Sequence, residues 1–280
     1  MFELFSYGFI QRAILTGVFV GTACAVLGVF LVLRRYALIG HGLTHVAFGG
    51  VAIGLLFSSQ PFWVTLIVTL LAGIGILKMQ QRVKIYADVA IGIVSAVGMA
   101  TGIVIASVAK GFNVDLMSFL FGSILTIGKT EFIVSIVVSV SVIAFVLLFY
   151  HDLFAMTFDE EAARAMGIGV DRYNYFFVVV SAFVVVVGMR VVGLLLVSAL
   201  IILPAVTSLQ VSRNFRASLV IAAAAAAFSV VAGIVISFWL DLPSGGTIVL
   251  VNFVLFLLAF WTKKLFIEKR EAALNSSPNP

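Results

Sequence analysis

With 280 residues, of which 63% are hydrophobic and 10% charged, this chain falls outside the range of soluble globular domains, where charged residues make up about a quarter. Its mean hydropathy of +1.25 describes a polytopic helical membrane protein. The net charge of +5 does not indicate nucleic acid: the basic residues lie in short clusters at the ends of apolar runs, as topology signals do. A single cysteine, Cys24, excludes both an intrachain disulfide and a thiolate-rich metal site.

In chain order, Met1 to Gln11 places Glu3 among Phe2, Phe5, Tyr7 and Phe9 without the basic region of a secretory signal. It reads as a short interfacial helix retained on the protein. A hydrocarbon core needs ~20 apolar residues per helix, and on that measure nine spans fall at 13–33, 44–58, 62–78, 88–109, 131–150, 174–189, 191–210, 217–240 and 245–262. The second is short, so it starts deeper or includes the turn around His41. The apolar piece 116–127 is half a span and reads as re-entrant or interfacial. Arg34/Arg35, Lys78/Arg82/Lys84, Arg164/Arg172, Arg213/Arg216 and Lys263/Lys264/Lys269/Arg270 all favour the cytoplasm, and nine spans with the N-terminus outside satisfy them. Residues 268–280 are polar and read as a disordered cytoplasmic tail. The pairs Gly17/Gly21, Gly50/Gly54 and Gly98/Gly102 mark close helix approaches.

All twelve acidic residues lie at span ends or in loops. A transporter driven by its own coupling ion keeps ionisable groups near the midplane, so the driving force is expected to enter through a loop, from another protein. Arg190 reads as the tip of a tight outer hairpin. Pro204 breaks a helix and fits a packing kink or a gate.

Three short motifs invite a chemical reading. Gly122 to Thr130 has five residues between its glycines where a phosphate loop needs four, and no strand precedes it. His41-Gly42-Leu43-Thr44-His45 sets two of the three histidines four residues apart, on one helical face. Gly42 stands where a helical zinc protease has its general base, so hydrolysis is excluded, while metal binding and simple interfacial hydrogen bonding both stay open. Phe158, Asp159, Glu160, Glu161, Ala162, Ala163 and Gly167 form a short amphipathic loop helix in which Phe158, Ala162, Ala165 and Met166 can share a face.

Taken together, Leu27 to Arg35, His41 to Ala47, Asp88 to Ile93, Phe119 to Leu125, Phe158 to Glu161, and Val192 to Val197 running to Ala205 resemble the permease subunits of bacterial metal-ion ABC importers. The resemblance spans Phe9 to about Lys264. It implies an all-α, type II importer-like bundle over residues 1–267 in the bacterial plasma membrane, without enzymatic activity of its own and without a permanently bound cofactor. It also implies a homodimer embedded in membrane lipid, a separate cytoplasmic ATPase engaging residues 158–167, and an external metal-binding protein delivering Zn²⁺, Mn²⁺ or iron(II). The family's metal-coordinating Asp and His fall on His41 and His45. Nitrogen in place of a carboxylate oxygen favours zinc over manganese. Two donors per protomer imply a site completed across a two-fold axis.

Overall fold

The computed structural model describes residues 8–57, 61–108 and 127–275. Lipid offers no partner for free backbone groups, so apolar segments of this kind close their hydrogen bonds internally as helices. Among the described residues they do so throughout: α1 Gly8–Leu33, α2 Ala37–Phe57, α3 Pro61–Val83, α4 Ala87–Val108, α5 Lys129–Leu148, α6 Tyr150–Phe158, α7 Glu160–Ala165, α8 Val170–Val192, α9 Leu194–Val211, α10 Phe215–Leu240 and α11 Ser244–Asn275. Eight of them are long and apolar enough to cross a membrane. The shorter α9 joins the far end of α8 to the near end of α10, so it traverses the same bundle.

Polar contacts define the two ends. At one, Arg34 pairs with Glu160 at 3.1 Å, the Tyr36 hydroxyl donates to Gln80 at 3.0 Å, Tyr175 donates to Gln81 at 3.3 Å, and Lys263 donates to Gln210 at 3.0 Å. This end also carries the α6–α7 segment. At the other end Arg190 lies 3.5 Å from Glu131 and over the Phe62 ring, next to the turn at Gly193 that joins α8 to α9.

Several boundaries differ from the sequence reading. Gly8 to Gln11 is not a separate interfacial element; it is the first turn of α1, with Ile10 buried. Helix α2 starts at Ala37 rather than residue 44, because the chain reverses within Arg34-Arg35-Tyr36 and resumes the helix at once. Helix α11 runs on past Glu268 to Asn275. The half-span 116–127 lies, apart from Ile127, outside the described residues, as does most of the Gly122–Thr130 motif.

Packing depends on backbone contact. Helix α1 is buried along most of its length, and a Cβ on Gly28 would stand 1.9 Å from the carbonyl oxygen of Ile201 on α9. Pro204 lies buried in α9 about one turn beyond that contact, where its ring cannot donate a helical bond. On the other side of the bundle, a Cβ on Gly98 of α4 would meet Val46 Cα of α2 at 2.7 Å. Two of the expected small-residue pairs therefore sit at helix crossings: Gly98/Gly102 between α4 and α2, and Gly50/Gly54 facing Thr65 and Pro61 of α3. Overpacking such a contact costs about 1–3 kcal/mol or more, so Gly28→Leu should sharply lower the thermal unfolding midpoint of the purified protein. Gly92→Leu, at a position with open space, should leave that midpoint unchanged.

Candidate metal-transit site and coupling segment

Helix α2 presents four sides, and among the described residues its neighbours cover three around Gly40 to Gly50. A Cβ on Gly42 would meet Ile91 of α4 at 2.6 Å, one on Gly40 would meet Ile201 of α9 at 2.7 Å, and one on Gly50 would meet Thr65 of α3 at 2.8 Å. His41 and His45 fall on the remaining side, with Leu38 beside them; His41 and Leu38 are exposed and His45 is half-buried.

The two rings stand edge to face, 4.5 Å between centroids, and their Nε2 atoms share a hydrogen bond at 3.0 Å. Two nitrogens bound to one tetrahedral zinc at 2.0–2.1 Å lie roughly 3.3 Å apart, so the pair is already close to the spacing at which both could face a single ion. The Thr44 hydroxyl donates to the His41 carbonyl at 2.6 Å, fixing the turn that carries them. His45 Nδ1 is buried without a hydrogen-bond partner. Metal-bound imidazoles usually donate that second nitrogen to an outer acceptor. Among the described residues no group of three or more His, Cys, Asp or Glu gathers anywhere, so this protomer offers two donors and leaves the remaining coordination positions open.

The 158–167 segment lies at the end of the bundle rich in Lys and Arg. Phe158 closes α6. Asp159 is the N-cap of α7, its carboxylate accepting from the Ala162 amide at 2.9 Å, which satisfies an otherwise free donor. Glu160 and Glu161 occupy the first turn, where negative charge suits the helix dipole. Arg164 bridges Glu160 at 3.0 Å and Asp171 at 2.7 Å, and these contacts raise the pKa of its guanidinium further. Gly167, at φ +84°, ends the helix in a conformation glycine adopts without strain.

The inward-facing residue of this helix is Ala163, which is fully buried. Phe158, Ala162, Ala165 and Met166, grouped from the sequence as one apolar face, are all exposed. That leaves an apolar patch ringed by charge on the outer surface of the segment.

Sequence reasoning missed Arg34. It reads as a topology anchor from its position, yet its side chain is only 5% exposed and is paired to Glu160. Burial pulls its pKa down, and the Glu160 carboxylate partly offsets that. The only trace in the sequence is the adjacency of Arg34 to a second arginine, which could have served as the anchor alone.

These features are those of a multi-pass membrane protein with an imidazole pair on one helix and a charged loop helix at one end of the bundle. The chain matches the ABC 3 transport family over residues 6–263 and belongs to it. It is 34% identical over 259 residues, 92% of this chain and 89% of the relative, to the manganese transport system membrane protein MntC of Halalkalibacterium halodurans. It is 27% identical over 252 residues, 90% of this chain and 97% of the relative, to the high-affinity zinc uptake system membrane protein ZnuB of Haemophilus influenzae. Among solved structures, PsaBC from Streptococcus pneumoniae in complex with Fab matches with a TM-score of 0.82 and 31% identity over 92% of each chain.

The N-cap makes a local prediction. Losing such a cap costs ~1 kcal/mol, about fivefold in a local opening equilibrium. In Asp159→Ala, amide hydrogen exchange within 161–166 should accelerate by about that factor while α8 exchanges as before.

Proposed function

We propose that this chain is the membrane-spanning subunit of an ATP-driven importer of divalent transition metal, with Zn²⁺ as the preferred cargo. The observation that carries the reading is the His41–His45 pair, two convergent nitrogens on the one side of α2 that, among the described residues, no neighbouring helix covers at this level. A second copy of the chain facing this side supplies the other two nitrogens of a four-coordinate transit site. Such a site holds the ion only briefly, since transport requires release as well as capture.

The end rich in Lys and Arg faces the cytoplasm of the bacterial cell, and a separate ATPase subunit docks on residues 158–167. The exposed Phe158 and Met166 enter a pocket of that partner, while Glu160 and Glu161 set its orientation. A metal-binding protein delivers the ion at the opposite end. Nucleotide-driven closure of the ATPases moves α7 and biases the bundle between two arrangements. The absence of acidic residues from span interiors supports an external source of energy over a self-contained carrier or channel.

Manganese is the second reading, supported by the name of the relative at 34% identity. Donor chemistry separates the two ions, because imidazole suits Zn²⁺ and carboxylate oxygen suits Mn²⁺. The test is uptake of radioactive Zn²⁺ and Mn²⁺ into vesicles holding the permease with its ATPase, supplied with the loaded binding protein. Loss even of a group supporting a metal ligand costs about 10- to 100-fold, so His41→Ala and His45→Ala should each lower uptake at least that far while the complex still assembles. His41→Asp should shift preference toward Mn²⁺. Undiminished uptake in both alanine variants counts against the site, and faster Mn²⁺ than Zn²⁺ uptake by the unaltered protein counts against zinc.

A further inference from the structure

We infer that Arg34 is a positioning residue that carries the motion of α7 to the histidine-bearing helix α2. The inference rests on the transport function proposed above. It starts from a buried cation whose one carboxylate partner, Glu160, belongs to the segment where the ATPase is placed.

The guanidinium of Arg34 meets Glu160 at 3.1 Å and lies 5.5 Å and 5.8 Å from the ring centroids of Tyr36 and Phe177. A guanidinium this buried does not stay unpaired, because that is costly, so Arg34 either follows Glu160, itself 41% exposed, or moves to other acceptors. The backbone around it is equally constrained. The Arg34 amide donates to Phe30 at 3.0 Å, Arg35 to Val32 at 3.1 Å, and Tyr36 to Leu31 at 2.8 Å. Arg35 closes the turn in the left-handed region at φ +59°. The Ile39 amide then donates to Tyr36 at 2.9 Å, inside the first turn of α2. Between Arg34 and His41 no slack segment exists to absorb a displacement, so a pull on the guanidinium moves the start of α2.

A second connection runs in parallel. Phe158, at the edge of α7, packs on Phe215 with centroids 5.7 Å apart, and Phe215 packs on the fully buried Phe30 of α1 at 5.2 Å. The aromatic path reaches the body of the bundle. The ionic path alone ends on the turn that leads into α2.

The site also has a second position available. Arg34 lines a cavity of about 20 Å³ together with Asn174 and Ser181 of α8. Asn174 Oδ1 and Ser181 Oγ are buried with no hydrogen-bond partner, which is costly unless an occasional donor reaches them. When Glu160 withdraws, Asn174 Oδ1 gives the guanidinium an alternative acceptor. Exchange between Glu160 and Asn174 is thus the two-state element that links nucleotide state to α2.

The experiment uses the full complex of permease, ATPase and binding protein in vesicles, and reads the metal ions moved per ATP hydrolysed. Arg34→Gln should lower that ratio about tenfold, the scale of a coupling contact, while Arg34→Lys, which keeps a cation for Glu160, restores most of it. Asn174→Leu should lower the ratio in the same sense; a normal ratio there overturns the exchange of partners. An unchanged ratio in Arg34→Gln overturns the inference and returns Arg34 to a topology anchor. If Arg34→Gln fails to assemble, the double variant Arg34→Met/Glu160→Gln, which removes both charges together, carries the test, and a normal ratio in it is equally fatal. No ATP-dependent metal uptake by the unaltered complex overturns the functional reading, whereas normal uptake with an indifferent Arg34→Gln overturns this inference alone.

Discussion

The structure depends on backbone-to-backbone contact where lipid gives helices no hydrophobic reason to associate. Glycine makes that contact possible. Gly28 lets α1 meet the Ile201 carbonyl, and Gly98 lets α4 meet Val46 of α2. With α3, α4 and α9 pressed onto it, α2 has three sides closed by fixed contacts, and its remaining side is the one that carries His41 and His45. The donor pair is therefore placed by packing on the opposite flanks, and its ring spacing follows from one turn of a helix that cannot easily rotate.

The second organising feature is the asymmetry between the two ends. The end with α7 is held by a chain of charges from Asp171 through Arg164 and Glu160 to Arg34 and by an aromatic cluster around Phe215. Exposed members of such a network contribute little stability individually. Their value lies in holding a short helix in one orientation while its apolar surface, Phe158 with Met166, stays outward. At the opposite end, ion pairing among the described residues is limited to Arg190 with Glu131, with the guanidinium over the Phe62 ring. On the function proposed above, mechanical work enters at the end with α7 and cargo at the other.

Much of this was legible in the sequence, for identifiable reasons. Apolar runs long enough to span a bilayer declare themselves by composition, and glycines four apart declare helix crossings. The histidine pair was legible because its spacing matches the helical repeat. Arg34 was not, since a basic residue at a span end has the same sequence signature whether it faces lipid headgroups or a buried carboxylate 126 positions away. The grouping of Phe158, Ala162, Ala165 and Met166 was legible from helical spacing, but spacing alone does not say which way a short helix turns, and here only the small Ala163 faces inward. The apolar run of α2 begins at residue 44 while the helix begins at Ala37, so it was the shortness of the run that made the inclusion of the His41 turn legible.

The central claim is that His41 and His45 directly hold the ion in transit. X-ray absorption at the metal edge of the assembled complex, trapped with Zn²⁺, tests it without relying on transport rates. The account predicts nitrogen donors at about 2.0–2.1 Å with the outer scattering of imidazole rings, lost when both histidines are replaced by alanine. A shell of oxygen donors without imidazole scattering, or a spectrum indifferent to the replacement, would contradict it.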